Sequence, residues 1–399
     1  MLSATEIEKY AEVMVWAIDA SRPAPLKPGH LAVIHWDRPA LPLAESVYRL
    51  LTNRHLHTVQ RMRSTPFMEQ SFYDAASPSQ LSYTVPGQKE MSEALNASIH
   101  LLAPESLTHL SHVDPSSMGM VSRARKPLRD ILDTREQNGD YSWSLCLWPT
   151  EALAEKAGMS LDDYARKIAR ACYLTKADPV MEWKHVLRDV KGLREALTSL
   201  PVSELHVESD QVDLVVGLGE HRQWLGVTGH NIPSFEIYVS PDYRKTRGVY
   251  YADQPSFRDG NRVKGARLEF SEGKVINASA EEGEEYLIQQ LSMDEGANRV
   301  GEFSLTDARF SPIDAFMAST LFDENYGGEY GNCHIAVGAS YASTYAGTAG
   351  ELSPELKKAL GFNSSALHWD LVNTEKKRVT AIMRDGSHTC IYENGQFTL

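Results

Sequence analysis

Leu31–Ala32–Val33–Ile34–His35–Trp36, an apolar run closed off by Pro39, decides how the first half of the chain is read. Six residues bounded by turn formers are too few for a helix and suit a strand buried on both faces. Around this run the apolar period changes. Ile7, Ala11, Met14 and Ile18 recur at helical spacing across 5–20, and Ala44, Val47, Leu50 and Leu51 do so across 43–54. Ile99–Leu102 and Trp143–Trp148 repeat the strand texture on either side of a helical region near 116–134, and helical patterns follow at 161–174 and 180–199. Strands alternating with helices predict an α/β domain with a mostly parallel sheet over residues 1–200. The run at 31–36 is not followed by Gly-x-Gly-x-x-Gly, so a dinucleotide site there has no support.

Beyond Pro201 the texture becomes β-rich. Val207, Val212, Leu214–Val216 and Trp224–Val227 are closely spaced, and Arg267–Ile276 reads as a hairpin turning at Ser271–Glu272–Gly273. One helix is expected at 281–291. Strands are expected near 301–306, 334–338, 366–372 and 378–384, so residues 201–399 are predicted to form a β-rich α+β domain.

The 399 residues carry a net charge of −13, which disfavours nonspecific contact with nucleic acid or anionic membranes. No apolar run approaches the ~20 residues needed to span a bilayer. The opening residues lack the basic leader and apolar core of a secretory signal, and Cys146, Cys172, Cys333 and Cys390 form no Cys-x-x-Cys pair. A cytoplasmic protein with reduced thiols is therefore expected.

Imidazoles and carboxylates collect in the second half. In the strand-like run Ala366–Val372, His368 and Asp370 stand two residues apart and so share a face, able to meet on one ion or to bond each other at a sheet end. His334 opens the apolar segment His334–Gly338, where a lone histidine is more often a satisfied edge residue than a ligand. Glu302 heads Glu302–Leu305, where a solvent-facing carboxylate is the plain alternative. Glu236, set between Phe235 and Ile237, is less easily explained as surface. Asp323–Glu324–Asn325 reads as an acidic helix end or turn. Two histidines and several carboxylates in apolar strand-like surroundings suit a divalent site for zinc, cobalt or manganese rather than a thiolate-held structural zinc, although Cys333 could offer its thiol beside His334. His-Glu-x-x-His and Gly-x-Ser-x-Gly are both absent from the sequence.

Five blocks in order carry a family resemblance. They are Asn231–Pro233 through Glu236 and Pro241; Gly301–Glu302 followed by Ser311–Ile313; Thr320–Asn325; His334–Tyr341; and Leu367–Asp370. The series resembles the thermophilic metallo-aminopeptidase family typified by aminopeptidases T and S. The resemblance implies a two-metal exopeptidase, with residues 201–399 as its catalytic domain, acting on peptides with a free N-terminus and commonly a homodimer. By position it makes Glu236, Glu302, His334, His368 and Asp370 metal ligands, Glu302 the bridge between ions, and Tyr341 the group beside the scissile carbonyl. Tyr326–Cys333 lengthens the interval before His334: the motif context assigns the sixth ligand to Glu324, whereas counting back from His334 selects Glu329. Two other uses of these residues stay open. His334, His368 and one carboxylate could hold a single iron, as in ring-cleaving dioxygenases, or the chain could bind peptides without turnover.

Overall fold

The computed structural model describes residues 1–348 and 351–399. The chain forms two compact units, one of residues 1–185 with 228–234, the other of 186–227 with 235–399.

In the first unit, β1 (Leu31–Trp36), β2 (His57–Met62), β3 (Ala97–Leu102) and β4 (Ser142–Leu147) form a parallel sheet in the order β2-β1-β3-β4, completed by the short strand Asn231–Ile232 beside β4. Ala32, Val33 and Ile34 are buried, as their apolar run predicts. α1 (Ala4–Ala20) starts at a reciprocal cap, in which Ser3 Oγ accepts from Glu6 N and Glu6 Oε2 accepts from Ser3 N. Its buried stripe of Tyr10, Ala11, Met14, Ala17 and Ile18 follows the 3.6-residue period. β2 has no such signature: His57–Thr58–Val59–Gln60–Arg61–Met62 is an edge strand with no residue fully buried.

The second unit is antiparallel throughout its two large sheets. Eight strands lie in the order 274–279, 266–271, 247–252, 213–217, 202–208, 378–383, 388–393 and 396–397. The expected hairpin is present, Ser271 pairing Lys274 across Glu272 and Gly273. Both turn residues have left-handed φ, +48° and +77°, which matches the right-handed twist of the flanking strands. Trp224–Val227 departs from expectation: Leu225 only bridges Tyr238, and Val227 takes φ +52°, outside any strand.

The second sheet has four strands, in the order His368–Asn373, Asn332–Gly338, Val300–Thr306 and Glu236–Val239. Ile237, Val239, Phe303, Leu305, Cys333, Ile335, Val337, Trp369 and Leu371 alternate onto one face and are all buried. At roughly 1.5–3 kcal/mol per large apolar side chain, that face holds the sheet in place and leaves the opposite one free to carry charge. Among the described residues no helix is long and apolar enough to cross a membrane.

Candidate metal centre

Register assembles the polar face. Glu302 pairs with Ala336, and Ala336 with Asp370; Ser304 pairs with His334; Thr306 pairs with Glu236. Directly opposed residues share a face, so Glu236, Glu302, Ser304, His334, His368 and Asp370 all project from the same side across four strands. The same alternation turns Cys333 to the apolar face, where burial pushes its thiol up to about 12, so it is no partner of His334 in the cluster.

His334 Nε2 is the hub. It lies 3.1 Å from Glu302 Oε1, 3.3 Å from Glu236 Oε2 and 3.9 Å from Asp370 Oδ1. His368 Nε2 lies 3.5 Å from Asp370 Oδ1 and 3.7 Å from Glu302 Oε2. Glu302 thus turns one oxygen toward each imidazole. Ligand atoms of Glu236, Glu302 and His334 fall within 4.8 Å of one another.

Neighbouring groups fix these side chains. Ser304 Oγ donates to Glu236 Oε2 at 3.0 Å. His368 Nδ1 lies 2.9 Å from Ala339 O, which makes Nδ1 the protonated nitrogen and aims Nε2 into the cluster. Gly301 sits at a register shift where a Cβ would stand 2.2 Å from Ala339 O, so only glycine lets the chain pass there before Glu302. Tyr341 N donates to Ser240 Oγ, and its ring lies against His368, with centroids 4.7 Å apart, and beside Tyr238 at 5.7 Å.

Glu324 is buried at the end of the short helix Thr320–Asp323. Its carbonyl accepts from Thr306 Oγ1 and Asn332 Nδ2, and Asn325 Nδ2 stands 3.4 Å from its Oε1. Its charge is among those acting on Tyr341. Glu329 is exposed. Asp323 is no ligand of the cluster: its two carboxylate oxygens accept from Met317 N and Ser319 N, and burial raises its pKa to about 8.

The electrostatics are those of a site made for cations. Burial raises Glu236 to about 8, helped by the charges of Glu302 and Asp370 and opposed by His334. Burial alone would lower His334, but the Glu302 bond and the charges of Glu236 and Asp370 outweigh it and lift the imidazole to about 9. Desolvation is likewise overcome at His368, lifted to about 9 chiefly by Asp370. Desolvation would raise Asp370, yet His368, then His334 and Arg258, draw it down to about 2. Glu302 Oε2 and His334 Nδ1 are buried without a hydrogen-bond partner among the described residues. An orphaned carboxylate oxygen facing an imidazole fits a cation between them.

Residues the sequence did not single out also take part. Ser304 and Tyr238 each follow a nominated ligand by two positions, so strand alternation was the signal that could have found them.

A parallel α/β unit, with an antiparallel unit whose sheet face gathers two imidazoles and three carboxylates, defines a candidate N/O-ligated divalent-metal protein rather than a thiolate-held structural zinc module. The family model for thermophilic metalloproteases matches residues 3–397, and the chain belongs to that family, as the five sequence blocks indicated. Aminopeptidase PepS of Streptococcus thermophilus is 28 % identical over 269 residues, 64 % of this chain and 63 % of the relative, so that match spans less than two thirds of the relative's length. Aminopeptidase T of Thermus thermophilus is 28 % identical over 296 residues, 70 % of each chain. Aminopeptidase 2 of Geobacillus stearothermophilus is 24 % identical over 419 residues, covering 98 % of this chain and 97 % of the relative. The solved structure of wild-type AmpT from Thermus thermophilus shares the fold, with a TM-score of 0.79 at 22 % identity, covering 98 % of this chain and 99 % of that one.

Proposed function

We propose that the chain is an aminopeptidase that removes N-terminal residues from peptides using two divalent ions, zinc, cobalt or manganese. The observation that carries this reading is Glu302, which faces His334 with one oxygen and His368 with the other, so one carboxylate addresses two imidazoles. Glu236 and His334 would hold one ion, His368 and Asp370 the other, with Glu302 between them and Glu324 as the sixth ligand. Bound in pairs, such ions supply an activated water and a polarised carbonyl. Family membership favours this over a single-iron oxygenase, and the five donors on one buried sheet face favour it over a binding protein without turnover. A cytoplasmic homodimer acting on peptides with a free N-terminus completes the proposal.

Tyr341 is proposed to donate its phenolic proton, in a hydrogen bond, to the oxyanion that develops at the scissile carbonyl. Desolvation of its hydroxyl end, then the charges of Glu302 and Asp370, raise the phenol above its ordinary pKa although the residue as a whole is 38 % exposed, which keeps it in the donor form. Tyr341→Phe is expected to cut turnover by ~10²–10³-fold, the loss typical of one oxyanion contact, with two metal equivalents still bound. Loss of metal in this variant would instead make Tyr341 part of the ion site.

The whole reading is tested by chelation and reconstitution. Hydrolysis of a panel of aminoacyl amides should disappear with chelator and return with added cobalt or zinc at two equivalents per chain. A chelated enzyme of unchanged rate, or full recovery with one iron and dioxygen uptake, overturns it.

A further inference from the structure

The side chain of Asn325 joins two segments that are far apart in sequence and that each carry a nominated ligand. It is fully buried. Its Oδ1 accepts from Phe235 N at 2.5 Å and from Glu236 N at 3.1 Å. Its Nδ2 donates to Leu321 O at 3.0 Å and reaches Glu324 Oε1 at 3.4 Å. Two donors on one side and two acceptors on the other fix which way the amide points, and all four of its bonding positions are used. Asn325 is itself anchored, since its own carbonyl accepts from Ser311 Oγ.

We infer that Asn325 is a positioning residue that sets the distance between the Glu236 and Glu324 carboxylates, and thereby the spacing of the ion pair. The inference rests on the two-ion reading above. A buried main-chain N–H needs an acceptor wherever a strand begins, and a backbone carbonyl from any loop could serve. What is specific here is that the same amide group also donates to a carboxylate. The Glu236 strand starts where Asn325 holds its first N–H, and Glu324 Oε1 lies within reach of the same side chain's Nδ2. Aspartate has nearly the same shape and keeps the acceptor for Phe235 and Glu236, but it places an oxygen against Glu324 Oε1 and Leu321 O. Repulsion would then turn the Glu324 carboxylate away while the strand stays anchored.

The test is metal binding rather than rate. Wild-type protein and Asn325→Asp, both stripped with chelator, are titrated with cobalt(II) against a chromophoric competitor while the visible spectrum of the bound cobalt is recorded. Wild type is expected to bind two equivalents. Asn325→Asp is expected to bind the one served by Glu324 ~10–100-fold more weakly, the usual effect of losing a group that orients a ligand, with an altered cobalt spectrum and a circular dichroism spectrum like that of wild type. Two equivalents bound by Asn325→Asp with wild-type affinities and spectrum would overturn the positioning role and leave the two-ion reading standing. Fewer than two equivalents in wild type would instead overturn the two-ion reading, and the inference with it. If Asn325→Asp does not fold, Asn325→Ala, which removes both the donor to Glu324 and the acceptor for Phe235 and Glu236, is titrated in the same way, and two equivalents bound with wild-type affinities and spectrum would again overturn the positioning role.

Discussion

Glu302→Gln is expected to lower peptide hydrolysis by at least ~10³-fold and to leave the protein with one bound ion or none, measured by elemental analysis after equilibration with excess zinc and desalting. The substitution keeps the shape of the side chain, so packing against the buried Glu302 strand is preserved. What changes is charge and donor capacity. Of the two carboxylate oxygens, one stands 3.1 Å from His334 Nε2 and the other 3.7 Å from His368 Nε2, and one of them becomes an NH₂ that cannot ligate a cation. Asp370 reaches both imidazoles only through a single oxygen, Oδ1, and Glu236 reaches only His334, so neither offers a separate oxygen to each imidazole as Glu302 does. The metal-free variant is expected to stay within ~1–2 kcal/mol of wild type, because the remaining Oε1 still accepts from His334. Loss of stability alongside activity would mean that Glu302 acts on folding. Two ions retained by Glu302→Gln would remove it from the bridge.

Much of this site was legible because strands advertise their two faces. In Glu302–Phe303–Ser304–Leu305–Thr306 and His334–Ile335–Ala336–Val337, polar or small residues alternate with large apolar ones, so the charged groups had to share a side if the strands paired. Pairing itself was not legible. Whether Glu302 stands opposite Ala336 or one residue away depends on the register shift at Gly301, a close approach visible only in three dimensions. β2 escaped notice because an exposed edge strand has no reason to alternate. Asn231–Ile232 joins the parallel sheet although Glu236, five residues after Asn231, belongs to the antiparallel one, a switch that no local pattern signals. Asn325 reads as a plain turn residue because its partners Phe235 and Glu236 lie about ninety residues earlier in the chain, beyond any local pattern. Tyr341 was proposed through resemblance, since by composition alone it is one aromatic among many. Its placement against His368 comes from the backbone bond to Ser240 Oγ.

Metal-free protein is expected to lose stability as pH rises from about 7 to 8.5, while the metal-loaded protein does not. His334 and His368 in the folded chain hold their protons to about 9, against an ordinary imidazole value of 6.5. Glu236 and Asp323 hold theirs to about 8, far above the ordinary carboxylate range. All four are raised on folding, so the folded form binds more protons than the unfolded form in this window. The stability they contribute is complete below the unfolded values and is lost as pH climbs through the folded ones. Asp370, drawn down to about 2, is ionised throughout and adds no slope here. His35, lowered to about 4 by burial, works in the opposite sense only below its unfolded value, and Lys377, lowered to about 8 by burial, opposes the trend only above that. The net loss is on the order of 2–4 kcal/mol, which calorimetry would register as a fall of several degrees in the apparent Tm. Divalent ions reverse the sign because they bind the deprotonated donors and release those same protons, so their affinity grows across the window in which the metal-free fold weakens. The gap in Tm between loaded and stripped protein should therefore widen from pH 7 to 8.5. A gap that stays constant would mean that the imidazoles and Glu236 exchange no protons for metal, and that the ions sit elsewhere.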